Sequence, residues 1–211
     1  MPGMNVAPTR TNLIRIKKEL RFAREGYEIL DRKREVLTTE LVRVAHEADV
    51  IQKEVWKLLE TAYGALEKAQ LTLGSDHVEW AALAANKTVE VHLKLRGIMG
   101  VAIPVIEAQG EPQKLLYSLS GTNAALDEAT AAFREVLIKT PQLSMLVTTV
   151  WRLAGELRKT QRRVNALQHI FIPQYEETVA FIVSSLEERE REETFRLKWL
   201  KTKMENAAAQ T

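Results

Sequence analysis

Residues 13–69 read LIRIKKELRFAREGYEILDRKREVLTTELVRVAHEADVIQKEVWKLLETAYGALEKA. Taking alternate steps of three and four from Leu13 gives Ile16, Leu20, Ala23, Tyr27, Leu30, Arg34, Leu37, Leu41, Val44, Ala48, Ile51, Val55, Leu58, Ala62, Ala65 and Ala69, and 16 of these 17 slots are apolar or aromatic. A repeat sustained over eight heptads without a stutter predicts a helix that supercoils left-handedly around a partner. Gly26 and Gly64 lie off this seam and weaken the helix by roughly 1 kcal/mol each without ending it. Thr9, after Pro8, is the expected N-cap, with Thr11 or Asn12 as alternatives, and Gly74 within Leu73–Asp76 is the expected stop. A helix of about 65 residues, or roughly 95 Å, follows.

The partner is sought downstream. Leu146, Val150, Leu153, Leu157, Val164, Leu167 and Phe171 keep the same spacing, with Thr160 filling the one polar slot. Ile182, Leu186, Leu197, Leu200 and Met204 continue the face, but Glu190 and Glu193 occupy intermediate slots, so a looser grip is expected there. This second helix, from about Gln142 to Asn206, nearly matches the first in length. The expected fold is therefore all-α: a long antiparallel two-helix coiled coil formed by the N- and C-terminal helices, with both termini at one tip. Pro173 is expected to bend the second helix. Glu187 with Arg191, and Glu192 with Arg196, stand in the favourable order for ion pairs along an exposed helix.

Between the long helices lies a small middle region containing a short β-hairpin and a short helix. The expected division is 1–73, 74–121 and 122–211. Ala81 to Ala85 read as a short helical turn. Val89, Val91, Leu93 and Leu95 alternate with polar residues, and Val101, Ile103 and Val105 follow Arg96-Gly97 and Met99-Gly100, which predicts a hairpin over about 88–106. Pro104 confines the second strand to an edge. Glu111 to Gly121 read as loop. Thr122 or Asn123 caps a short helix carrying Leu126, Ala129, Phe133 and Leu137; Pro141 either ends it or kinks it into the long C-terminal helix, and the kink is favoured because only Lys139 and Thr140 separate the two segments.

Composition excludes several function classes. There is no cysteine, hence no disulfide or thiol chemistry, and no apolar run approaches the roughly 18 residues of a membrane span. The first 20 residues lack the apolar core of a signal peptide. A soluble cytoplasmic protein without direct membrane insertion is expected. The net charge of +2 does not indicate a nucleic-acid partner. Residues 1–40 carry 9 basic and 6 acidic side chains, 41–151 carry 10 and 13, and 152–211 carry 11 and 9, so paired ends make one tip positive. His46, His77, His92 and His169 stand far apart without ligand spacing, and no phosphate-binding Gly-x-x-x-x-Gly-Lys loop occurs. No metal, cofactor or catalytic residue is expected.

Several motifs together carry a family resemblance. They are NVAPTRTNLIRIKKELRFAREGYEILDRKREVL at 5–37, KTQRRVNALQ at 159–168, IPQYEETVAFI at 172–182 and LEEREREETFRLK at 186–198, with GVAIPVIE at 100–107 and TNAALDEATAAFREVL at 122–137 between them. The chain resembles the D subunit of the rotary V/A-type ATPases, the central rotor shaft, in its prokaryotic branch. The resemblance covers residues 5 to 205.

That resemblance implies a non-catalytic axle, one copy per complex, turning inside a hexamer of A and B subunits where ATP is made or hydrolysed. It implies that residues 74–140 engage the F subunit and the funnel-like C (d) subunit on the membrane rotor ring. It places the complex on the cytoplasmic side of the cell membrane, coupled to proton or sodium transport. Taken alone, Arg158, Lys159, Arg162 and Arg163 form a solvated surface. With the resemblance they, together with Arg10, Arg32 and Lys33, become candidate bearing contacts with the hexamer. Arg34 occupies a seam slot, where pairing with an acidic side chain of the opposite helix is the alternative. The seam itself also fits a coiled-coil scaffold or tether, and a membrane-curving helical bundle. Neither requires the Pro-Thr-Arg start or KTQRRVNALQ.

Overall fold

The computed structural model describes residues 6–83, 89–110 and 121–208. Helix α1 spans Arg10–Leu73 and α2 Ser75–Leu83; strands β1 and β2 span Val89–Ile98 and Val101–Gly110; helix α3 spans Ala124–Ala166, passes through a π-helical turn at Leu167–Phe171 and continues as α4, Ile172–Ala208. The chain is all-α apart from the hairpin, with its long N- and C-terminal helices packed together.

The ends of α1 follow the expected chemistry. Thr9 Oγ1 accepts a hydrogen bond from the Asn12 amide at 3.3 Å, and the Leu13 amide reaches the Thr9 carbonyl at 3.0 Å. At the other end Gly74 has φ +83°, the left-handed conformation that favours glycine, and its amide bonds Gln70 O at 2.9 Å. The helix is 64 residues long. Every seam slot from Leu13 to Ala69 is buried or half-buried.

The contacts divide the chain into two compact units, one of residues 1–34 with 159–211 and one of residues 35–158. In the first, Arg10 bonds Glu190 and Arg24 bonds Glu176, each at 2.6 Å. Fourteen residues forward on α1 answer fourteen backward on α4, two full heptads in an antiparallel register. Ile16 and Ala23 on α1 and Thr160, Val164, Thr178 and Ile182 on the other strand are its buried residues. Thr178 is tolerable in an apolar seam because its hydroxyl donates to Gln174 O at 2.7 Å.

The second unit has two cores. Leu37, Val44 and Ala48 of α1 pack with Leu146 and Leu153 of α3 and with Val101 and Ile103 of the hairpin. Further along, Ala69 packs with Val78 of α2 and Leu126 of α3. Buried Ala62, Ala65 and Ala69 give small side chains to that end of the seam. Tyr63 meets Phe133 edge to face with centroids 5.4 Å apart, and Lys139 bonds Glu54 at 3.1 Å. Asn123 caps α3, its Oδ1 accepting from the Leu126 amide at 3.0 Å.

Several expectations need correction. α2 starts at Ser75, directly after Gly74, and ends at Leu83, so the turn expected over 81–85 is the tail of an earlier helix; positions 84 and 85, like 88 and 111–120, lie outside the described residues. Asp76 in its first turn favours that start. The hairpin is longer than 88–106, because pairing continues to Val89 with Gly110. At Pro141, where an end or a kink was open, α3 runs through unbroken into the long C-terminal helix. Val136, not Leu137, faces the core, continuing the three-and-four spacing of Leu126, Ala129 and Phe133. Phe171 is exposed, since the π turn adds a residue to the helical circuit and carries it off the seam. That turn precedes Pro173, whose missing N–H already breaks the regular ladder.

Candidate functional surface

The charged residues singled out from sequence spread along α1 and α3. Arg10 sits at one end of its unit, bonded to Glu190. Arg32 and Lys33 stand 22 residues further along α1, about 33 Å away at helical rise. Lys159, Arg162 and Arg163 are exposed on α3 in the same unit, and Arg158 closes the other. Arg34, half-buried in the seam, lies 2.6 Å from Asp31 of its own helix, an ion pair at three residues' spacing that the sequence reading did not foresee. Both pairs expected near the C-terminus form, Glu187–Arg191 at 3.9 Å and Glu192–Arg196 at 3.7 Å.

The contacts at the termini define where the helix pair ends. Arg189 donates to the Pro8 carbonyl at 3.2 Å and Arg10 holds Glu190. α4 continues past these contacts to Ala208, and all of residues 187–204 are exposed. Leu197, Leu200 and Met204 continue the seam face, yet they are 68%, 48% and 73% exposed. The sequence predicted a looser grip there; the structure shows no grip by the described residues. Phe195 and Trp199, one turn apart, lie on the opposite side of the same helix, with Lys203 Nζ 5.1 Å from the Trp199 ring centroid. From Phe195 to Met204 this segment is therefore apolar on two opposed sides and charged between them.

A second feature escaped the sequence reading. Ile14, Phe22 and Ile29 are all exposed on α1, on the side away from the seam. Lys18, between the first two, places its ammonium 5.7 Å from the Phe22 ring. The available signal was the four-four-three-four spacing of residues 14, 18, 22, 25 and 29, masked by the stronger seam beside it.

Among the described residues no group of three histidine, aspartate or glutamate side chains is placed to hold a metal ion, and no helix is long and apolar enough to cross a membrane. The hairpin adds one local charge effect. Lys94 Nζ lies 2.9 Å from both carboxylate oxygens of Glu107 and holds that carboxyl below the usual glutamate range.

Comparison with known proteins bears on the same residues. The family model described as the D subunit of ATP synthase matches residues 12–202. The chain belongs to the ATP synthase D-subunit family. It is similar to the V-type ATP synthase D subunit of Thermotoga neapolitana, 43% identical over 201 residues that cover 95% of this chain and 99% of that one. It is similar to the A-type ATP synthase D subunit of Thermococcus sibiricus, 37% identical with 97% of each chain covered. The V-type ATP synthase D subunit numbered 2 in Treponema pallidum is 39% identical over 94% of this chain and 95% of its own.

Proposed function

We propose that the chain is the non-catalytic central-stalk axle of a V/A-type ATPase, one copy per complex, turning inside a hexamer of A and B subunits. The observation that carries this reading is the segment 195–204, an exposed helix that runs beyond the contacts of Pro8 and Arg10 with apolar residues on two opposed sides. A surrounding ring of subunits supplies what such a segment needs. The seam gives stiffness. Arg32, Lys33, Arg158, Lys159, Arg162 and Arg163 serve as polar bearing contacts, which exchange between equivalent stator positions at low cost because each bond is replaced by water or by a similar bond. Residues 74–140 engage the F subunit and the C (d) subunit on the membrane rotor ring. Rotation couples ATP synthesis or hydrolysis to proton or sodium transport, with the chain cytoplasmic and peripheral to the cell membrane.

Co-expression with the A and B subunits from the same source tests this directly, read by size-exclusion chromatography with mass measurement and an ATPase assay. One copy of the chain per A/B hexamer, with turnover that changes in its presence and reverts when the last turns of both long helices are removed, is the expected result. A chain that elutes alone, or binds at another ratio, sinks the reading.

A further inference from the structure

The two edges of the hairpin are treated differently. In its antiparallel ladder Ile106 stands opposite Leu93, Pro104 opposite Leu95 and Ala102 opposite Gly97. On the β2 side these positions turn their backbone groups away from β1, towards α3, which bonds two of them. The Ile106 amide donates to Met145 Sδ at 3.4 Å, the Ala102 carbonyl accepts from Arg152 at 2.8 Å, and Pro104 has no N–H to satisfy. By the same alternation Val91, Leu93, Leu95 and Gly97 turn their N–H and C=O groups outward from β1. Among the described residues nothing pairs with them.

That edge lacks the usual protections. It belongs to a ten-residue strand in continuous register, without a proline or a bulge. Val91, Leu93 and Leu95 form an apolar row on one face and are 49%, 62% and 66% exposed. His92, Lys94 and Arg96 form a basic row on the other. The lysine that would discourage edge pairing is neutralised across the ladder by Glu107. Arg96 faces Ile103 and so has no acid opposite it on β2. A two-stranded ribbon is marginal by itself, and a third strand would complete it.

We infer that the outer edge of β1 takes an extended segment of a neighbouring subunit as a third strand. Apolar side chains of that segment lie over Leu93 and Leu95, and a carboxylate lies beside Arg96. Backbone bonds at Val91, Leu93 and Leu95 supply the affinity and the alternating rows supply the register. The inference rests on the proposed assembly with A, B, F and C (d) subunits, and it names the place and mode of one contact within it.

The test compares the full chain alone with the chain in a complex co-expressed with A, B, F and C (d) subunits. Assembly is read by mass, and amide hydrogen exchange is resolved to single residues. The Leu93 and Leu95 amides are expected to exchange at least about tenfold more slowly in the complex, while those of Lys94 and Arg96, already bonded to β2, change far less. Leu93→Pro removes an outward N–H without touching a rung of the hairpin, and is expected to weaken retention of the chain by about tenfold. Leu93→Thr keeps the N–H and is expected to retain most binding. Equal exchange at Leu93 and Leu95 in free and assembled chain overturns the inference while leaving the axle intact. So does slow exchange in a dimer of the free chain, which makes a second copy the occupant. A complex that fails to assemble removes the axle reading and this inference with it.

Discussion

Arg34 and Asp31 lie 2.6 Å apart, one turn along α1, and are only 31% and 28% exposed. Asp31 Oδ1 is buried and no donor points at it with hydrogen-bond geometry, so the contact is an ion pair of poor alignment. It occupies the single non-apolar slot of the α1 seam. A half-buried pair of this kind returns little of its desolvation cost, whereas either member left alone is worse. Asp31→Ala should therefore destabilise the chain by about 1–2 kcal/mol in urea unfolding, and Arg34→Leu with Asp31→Ala should recover at least that loss. A double variant no more stable than Asp31→Ala alone would mean the arginine holds the seam by other contacts.

The cap of α3 ties two elements together. Asn123 accepts from the Leu126 amide and donates through Nδ2 to Thr72 Oγ1 at 2.8 Å, joining the start of α3 to the last turn of α1. Asn123→Ala should cost about 1–2 kcal/mol, more than Thr72→Ala, because only the asparagine also satisfies a helix-terminal N–H. Chemical denaturation of the two variants side by side decides it.

The seam of α1 was legible because burial is periodic and every slot from Leu13 to Ala69 obeys one rule. The hairpin turn was legible for a related reason. Met99 (φ 48°) and Gly100 (φ 80°) both take the positive φ of a two-residue hairpin loop, and the pair sits between apolar runs. What stayed hidden depends on geometry that spacing does not carry. Whether Pro141 ends or kinks its helix could not be read from spacing; the helix runs on, with Val136 and Leu146 buried on either side of it. The exposure of Leu197, Leu200 and Met204 could not be read either. Their spacing is that of a seam, and only the positions of Pro8 and Arg10 against Arg189 and Glu190 reveal that the partner has ended.

The two prolines make a differential prediction. Pro141 interrupts an otherwise regular helix, so Pro141→Ala restores a backbone bond and should stabilise by about 1–3 kcal/mol. Pro173 follows a π turn in which the Ile172 amide already bonds Leu167 O, five residues back. The π turn already displaces the ladder there, so Pro173→Ala should gain less than about 1 kcal/mol. Equal gains would show that the proline, not the extra residue, causes the π turn.

The hairpin should respond to acid in one direction only. Lys94 lowers the folded-state pKa of Glu107 relative to the unfolded chain. The pair's contribution is therefore fully present above the unfolded value and is lost as pH falls through the lower folded value. The Glu107 carboxyl should titrate by NMR at a lower pH than in Lys94→Met, whose midpoint should return toward the ordinary glutamate range. Coincident midpoints would remove the lysine as the cause.

Stability and function should separate along the C-terminal helix. Ile182 is fully buried, so Ile182→Ala should cost about 2–5 kcal/mol of unfolding free energy. Leu197, Leu200 and Met204 have the same seam spacing but no partner within the described residues. Replacing all three by serine should change the stability of the isolated chain by no more than about 0.5 kcal/mol per site, as for exposed positions generally. If a ring of A and B subunits surrounds this segment, the same triple variant should lose much of its binding to the hexamer, because the apolar area it buries there is gone. Unfolding of the free chain and co-elution with A and B, measured on one preparation, read both terms. A variant that unfolds early, or one that binds undiminished, places the function of the seam's last turns elsewhere.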